Sequence, residues 1–367
     1  MLSLVRAGSL ARYHRVLSAW FGLFVVGLLL TPPAAWGQPG SPLLLTPAQY
    51  MQGLHQHWTA PRAAEFASGS TQLASAVQAW CDAPEIAAPA ALAEARARWL
   101  GTMVHWERLS AVTIGPLAER RSLRQIDFRP TRPGLIERAI QTAPIDAAAM
   151  ERVGTPAKGL PALEWLLWKK PGSPASPMCR FAVQVALDIE REARMLESAF
   201  AQAAQRSWDD ESAATAMSEV VNQWVTGLER LRWINMDRPL RAAGREAPAF
   251  PRSESSSTAV SWAVQWQALR ALAVSADGEA PTPWTTLVSI ESYLRAHALN
   301  QSADALIRAT RRASVAMKKL ESAPPVAPAA ANVSAAAREI AALKQWAETE
   351  LAPALGIRIG FSDADGD

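Results

Sequence analysis

The chain has 367 residues, 49% of them hydrophobic and 19% charged, with 37 basic against 34 acidic side chains and a formal charge of +3. That balance excludes a disordered chain, a collagen-like repeat and a disulfide-dense mini-protein, and the length points to about two domains. A small positive excess would point to nucleic acid or anionic lipid only if it belonged to the folded part.

Residues 1–37 hold Arg6, Arg12 and Arg15 and no Asp or Glu, followed by an apolar run over 20–30 and the small residues Ala35 and Gly37. This is the pattern of a secretory signal peptide cut after Gly37, and the run is short of the roughly 20 apolar residues a membrane span needs. The alternative is an uncleaved anchor. Cleavage leaves 34 basic against 34 acidic residues, so bulk charge gives no reason to expect nucleic-acid binding, and no membrane span follows the leader.

In an oxidising compartment Cys81 and Cys179 are the available pair, 98 residues apart. A loop of that size contributes roughly 4–5 kcal/mol in chain-entropy terms. The alternative is two buried free thiols.

After a Pro-rich entry the chain reads as helices, rich in Ala, Leu, Arg, Gln and Glu. Residues 38–59 read as an N-terminal extension. Helices are expected over 60–81, with Phe66, Leu73, Val77 and Trp80 on one stripe, and over 87–114, with Leu92, Trp99, Met103, Trp106 and Leu109 on another. Further helices are expected over 133–142, 161–168, 179–205, 213–236, 257–275, 283–300, 303–321 and 334–352. The Arg-rich stretch 115–133 is too long for an ordinary connection and reads as a functional loop or a clamp between bundles. A second irregular stretch, 239–257, divides the helices. The expected fold is all-α, with a first helical bundle over 60–240 and a second over 241–367 that ends in an acidic tail.

The four histidines beyond the leader, His55, His57, His105 and His297, have no zinc-ligand spacing. Neither an H-E-x-x-H helix nor a G-x-S-x-G elbow is present. The most informative stretch is 158–168. Gly159 and Pro161 mark a helix start, and Glu164 has Leu160, Pro161, Leu167 and Trp168 at its helical neighbour positions. A carboxylate so surrounded is buried and needs an Arg, a metal, a hydroxyl or a raised pKa.

Gly159-Leu160-Pro161-Ala162-Leu163-Glu164 before an apolar run resembles the G-x-H-x-x-E signature of the imelysin-like family, with Pro161 at the His position. Thr113-Ile114-Gly115-Pro116, Ile126-Asp127-Phe128-Arg129-Pro130 and the ending Gly360-Phe361 to Asp365-Gly366-Asp367 are similar to other family segments. The resemblance implies an exported, all-helical, periplasmic protein linked to iron or haem uptake, with a metal such as iron as the cofactor and a periplasmic or membrane uptake partner. It further implies a ligand or metal complex in an inter-bundle cleft, with Glu164 as the acidic group and metal ligand. Gly159 and Pro161 would shape the helix start, and Arg121, Asp127, Asp363 and Asp365 would border the cleft. A metallopeptidase and a non-catalytic adaptor are the other two readings, and Pro161 removes half of the motif's chelate. The terminal aspartates stop short of an EF-hand loop. Arg121 or Arg124 is expected to dock them or Glu164.

Overall fold

The computed structural model describes residues 44–275, 286–321 and 329–360, so the leader, its cut after Gly37, Asp363 and Asp365 lie outside the described residues. Among the described residues every regular element is helical. Helix α1 (Pro47–Leu54) begins on a capping box: Thr46 Oγ1 accepts from Gln49 N at 3.2 Å, and Gln49 Oε1 accepts from Thr46 N at 2.9 Å. It runs through a π-helical turn (His55–Thr59) into α2 (Ala60–Asp82), and α3 (Ala88–Leu109) returns beside it. Short helices α4 (Pro116–Glu119), α5 (Ser122–Ile126), α6 (Pro133–Thr142), α7 (Ala147–Glu151) and α8 (Gly159–Glu164) follow. Long α9 (Pro177–Gln205), capped by Ser176, packs along α2. Then come α10 (Asp210–Glu229), capped by Asp209, α11 (Arg238–Ala242), α12 (Thr258–Ala273), α13 (Ile290–Ala296), α14 (Asn300–Glu321), α15 (Ala330–Trp346) and α16 (Ala352–Ala354). No described helix is long and apolar enough to cross a membrane.

The expected stripes are buried. Phe66, Leu73, Val77 and Trp80 meet Trp99, Met103, Trp106 and Leu109 in one core with the inner face of α9. A second core gathers α10, α12, α13, α14 and α15. Two helical bundles are therefore present, but they do not divide at residue 240. Ala213 to Met236 pack in the second core, and so do Tyr50, Met51, Leu54 and Trp58 of the expected extension. The first bundle ends with α9, and α1 is a strap on the second. An amphipathic stripe says that one face is buried but not which core buries it.

The stretch 115–133 carries two short helices and is fastened to α9. Arg120 grips Glu192 of α9 through Nε at 3.0 Å and Nη2 at 2.6 Å, and Ser122 Oγ adds a bond at 2.7 Å. This bidentate fork holds the loop down on the first bundle.

Cys81 and Cys179 are bonded, with Cα atoms 5.5 Å apart, tying the end of α2 to the start of α9. Cys81→Ser/Cys179→Ser should lower unfolding free energy by about 2–5 kcal/mol. Urea denaturation with and without reductant checks this: the reductant should shift the wild-type midpoint and leave the double variant unchanged.

Candidate functional site

Gly159 opens α8 with φ +78°, a left-handed conformation that favours glycine. A Cβ there would lie 2.5 Å from the Ile126 carbonyl oxygen and 2.8 Å from that of Gln125. The glycine thus lets α8 start directly against the end of α5. Trp99 Nε1 fixes the same start by donating to the Leu160 carbonyl at 3.1 Å. Pro161, which has no side-chain donor or acceptor, is buried in this first turn.

Glu164 closes α8 and is 3% exposed, with Leu160, Leu163 and Leu167 fully buried around it. Its partner is a hydroxyl. Ser255 donates to Glu164 Oε1 from its backbone N at 3.0 Å and from Oγ at 2.7 Å. Ser255 belongs to the irregular stretch before α12, which folds back over the junction between the bundles. Beside it Arg252 enters the interior with a fully buried side chain.

Arg252 is the hub of this junction. Its Nε and Nη2 donate to Glu107 Oε1 at 3.2 and 3.0 Å, and Nη2 also reaches Asp127 Oδ2 at 2.9 Å. Arg129 pairs with the other oxygen of Asp127 at 3.0 Å. Ser261 of α12 donates to Glu107 Oε1 at 2.7 Å and accepts from Gln265 at 3.0 Å, and Gln265 accepts from Asn235 at 2.9 Å. Arg230 bonds the carbonyls of Ser110 and Ala111 and the hydroxyl of Thr113. The guanidinium carbon of Arg252 lies 5.6 Å from the centre of the Trp99 ring.

The cluster balances its own charge, with Glu107, Asp127 and Glu164 against Arg129, Arg230 and Arg252. Burial acts to raise the Asp127 pKa, but Arg129 and Arg252 outweigh it and hold the carboxyl below its ordinary value. Burial opposes the charge on Arg252 too, yet Asp127, Glu107 and Glu164 raise its pKa above the usual one. Arg129 and Arg230 are lowered, in each case chiefly by burial.

This donor set does not fit a metal ion at Glu164. The motif's second ligand position is Pro161, and guanidinium groups stand where further ligands would have to come. Among the described residues no group of three or more His, Cys, Asp and Glu could hold a metal. The junction is wired as a salt-bridge network, and no metal-dependent step follows from it.

Of the residues expected at the site, Gly159, Pro161, Glu164 and Asp127 do converge on the junction. Arg121 and Arg124 are exposed, and Arg121 starts α5 with φ +53°. The expected docking of Glu164 by either of them is corrected: Ser255 bonds it, and the nearby guanidinium charges belong to Arg129 and Arg252. Glu107, Arg252, Ser255 and Ser261 were not expected. Glu107 carried a signal, a carboxylate adjoining the buried stripe of Trp99, Met103 and Trp106. Arg252 lies in an aperiodic stretch that offered none.

On another side of the seam a cavity of about 710 Å³ opens between α1, residues 114–115 and the α9–α10 turn. His55, in the π-helical turn, stacks on Trp208 with centroids 5.8 Å apart and planes 1° from parallel. Arg206 lies 4.3 Å from the centre of the same indole. Burial, helped by Arg206, pulls the His55 pKa down to about 4, so the ring is neutral at pH 7. Met51, Ile114 and Val220 supply apolar wall, and Glu211 and Glu219 border it.

The fold is similar to that of two solved proteins. An imelysin-like protein from Psychrobacter arcticum 273-4 superposes with a TM-score of 0.70 at 18% identity, over 86% of this chain and 97% of that one. A precursor assigned to iron-regulated protein A from Parabacteroides distasonis ATCC 8503 gives 0.61 at 12% identity, over 82% of this chain and 94% of that one. No curated protein sequence matches. The sequence model of the family described as Imelysin, Peptidase_M75, matches residues 59–351, and the chain belongs to the imelysin family.

Proposed function

We propose that this chain is an exported, non-catalytic imelysin-family protein that serves iron uptake as a binding component. Its ligand, a small molecule or metal complex, would sit in the inter-bundle cavity beside His55 and Trp208, with no bare metal ion at Glu164. The observation that carries this reading is the occupation of Glu164 by Ser255 within a charge-balanced network centred on Arg252. A metallopeptidase needs a metal-bound water and two or three open ligands. Here the motif carboxylate is hydrogen-bonded to the loop that covers it. The volume of the His55 cavity falls in the range of small-ligand sites, which favour seams between packed units. Export is supported by the leader-like segment 1–37 and by the Cys81–Cys179 bond. The iron context rests on the name of one structural neighbour.

Elemental analysis of protein purified from the periplasm tests the reading, together with a chelator-controlled peptidase assay. Protein without stoichiometric metal and without chelator-sensitive cleavage is the expected result. Stoichiometric metal that disappears in Glu164→Ala, or cleavage abolished by chelator, would overturn it. Titration with haem and with ferric citrate, followed by tryptophan fluorescence, should give a saturable change with one of the two. Trp208→Phe should remove it.

A further inference from the structure

We propose that the groove between α14 and α15 is a docking surface for an acidic polypeptide segment of a partner protein. Residues 305–320 contain Arg308, Arg311, Arg312, Lys318 and Lys319 and no Asp or Glu. Of these, Arg308, Arg311, Arg312 and Lys319 share one helix face, at spacings of three, four and seven residues. The opposite face of α14, with Leu306, Ala313, Met317 and Leu320, is sunk in the second core. The basic face is therefore held rigidly outward.

Helix α15 does not neutralise it. It adds Arg338 and a single carboxylate, Glu339, to a groove of about 540 Å³. Arg312 pairs with Glu339 at 3.5 Å, and Arg308, Arg311, Lys319 and Arg338 form no ion pair among the described residues. Elsewhere some arginines are matched to a carboxylate one turn away, as in Arg98–Glu94, Arg194–Glu190 and Arg232–Glu229. Five cations, Arg308, Arg311, Arg312, Lys319 and Arg338, thus line the groove against the one carboxylate of Glu339.

The shape selects the partner. Arg308 to Lys319 spans about 16 Å along the helix axis, too long for one small anion. A strand of about five residues with carboxylates on alternate positions covers that length. Guanidinium forks match carboxylates bidentately, which favours Arg over Lys at such a surface. A bilayer is disfavoured, because adsorption of a helix requires a row of large apolar side chains to insert. Here Val315, 58% exposed, is the one large apolar side chain exposed on α14, and it stands among the cations.

Fluorescence anisotropy of the purified protein with a fluorescein-labelled, Glu-rich peptide tests the proposal. Arg308→Ala/Arg311→Ala/Arg312→Ala should weaken binding by about tenfold or more, and raising salt from about 50 to about 500 mM should weaken the wild type similarly. Alanine at exposed helical positions keeps the helix, and circular dichroism verifies it. The control Arg138→Ala/Arg152→Ala/Arg245→Ala removes the same charge from other exposed sites and should change binding less than about twofold. Equal loss in the two triple variants would reduce the effect to bulk charge and overturn the proposal. So would an absence of peptide binding, or binding to phosphatidylglycerol vesicles in place of the peptide. This test is independent of what occupies the bundle junction.

Discussion

Arg252→Met should lower the unfolding free energy by about 3–5 kcal/mol at pH 7, the cost of leaving a buried carboxylate without its cation. Arg252 is the shared donor of Glu107 and Asp127, and its side chain is fully buried. Met fills much of the volume but supplies no hydrogen bond, so water must enter or a carboxyl must take up a proton. The pH dependence separates these outcomes from simple loss of packing. In the wild type the Asp127 pKa is depressed. Its contribution is therefore present above the unfolded value of about 3.9 and is lost as pH falls through the folded value. In the variant Asp127 loses one of the cations that hold it down, Arg252, and its pKa rises. The gap between wild type and variant should then narrow as pH falls through the variant's raised value and on below about 4, where the wild type loses its own contribution. Urea denaturation followed by tryptophan fluorescence at several pH values measures it. A difference below about 1 kcal/mol at pH 7 would mean that the junction is solvated and the network weak.

Gly159→Ala should cost about 2–5 kcal/mol, combining left-handed backbone strain with a forced shift of the neighbouring chain. The strain alone is the smaller part. Gly115 provides the comparison: its φ is +48°, but a Cβ there meets nothing within 4 Å. Gly115→Ala should therefore cost about 1–2 kcal/mol. At Gly159 the obstacle is backbone at 2.5 Å, the Ile126 carbonyl, which cannot swing aside like a side chain. Displacing it moves Asp127, the next residue, away from Arg252. Gly159→Ala should thus weaken the same pH dependence that Arg252→Met weakens, and Gly115→Ala should leave it intact. Equal midpoint shifts for the two glycines would contradict the close-approach argument.

Both predictions concern residues of unequal legibility. Glu164 and Gly159 could be read because helix-start signals and a ring of leucines have local causes. Their partners could not. Ser255 and Arg252 sit in an aperiodic stretch 91 and 88 residues beyond Glu164, where no repeat says which side chain turns inward. The same limit applies within 115–133. Arg120 grips Glu192, while its neighbour Arg121 is exposed, and nothing in a run of arginines ranks one above the next. Periodicity located the long helices well. It misplaced α1 and α10 because it carries no information on which core receives a buried face.

The strap formed by α1 has a consequence for the order of assembly. The first core runs from Ala63 to Phe200 and finds its contacts within one stretch of chain, crossed only by residues 111–114. The second is split around it, with Tyr50, Met51, Leu54 and Trp58 at one end and Ala213 to Leu351 at the other. In a chain delivered from its N-terminus, α1 emerges first and must wait. Its partners on α10, and the His297 ring that bonds the Leu45 carbonyl at 2.8 Å, arrive some 150 to 250 residues later. Meanwhile the inner bundle can close on itself. The outer bundle completes only when the two ends of the chain meet, and until then Tyr50, Met51, Leu54 and Trp58 have no second core to enter.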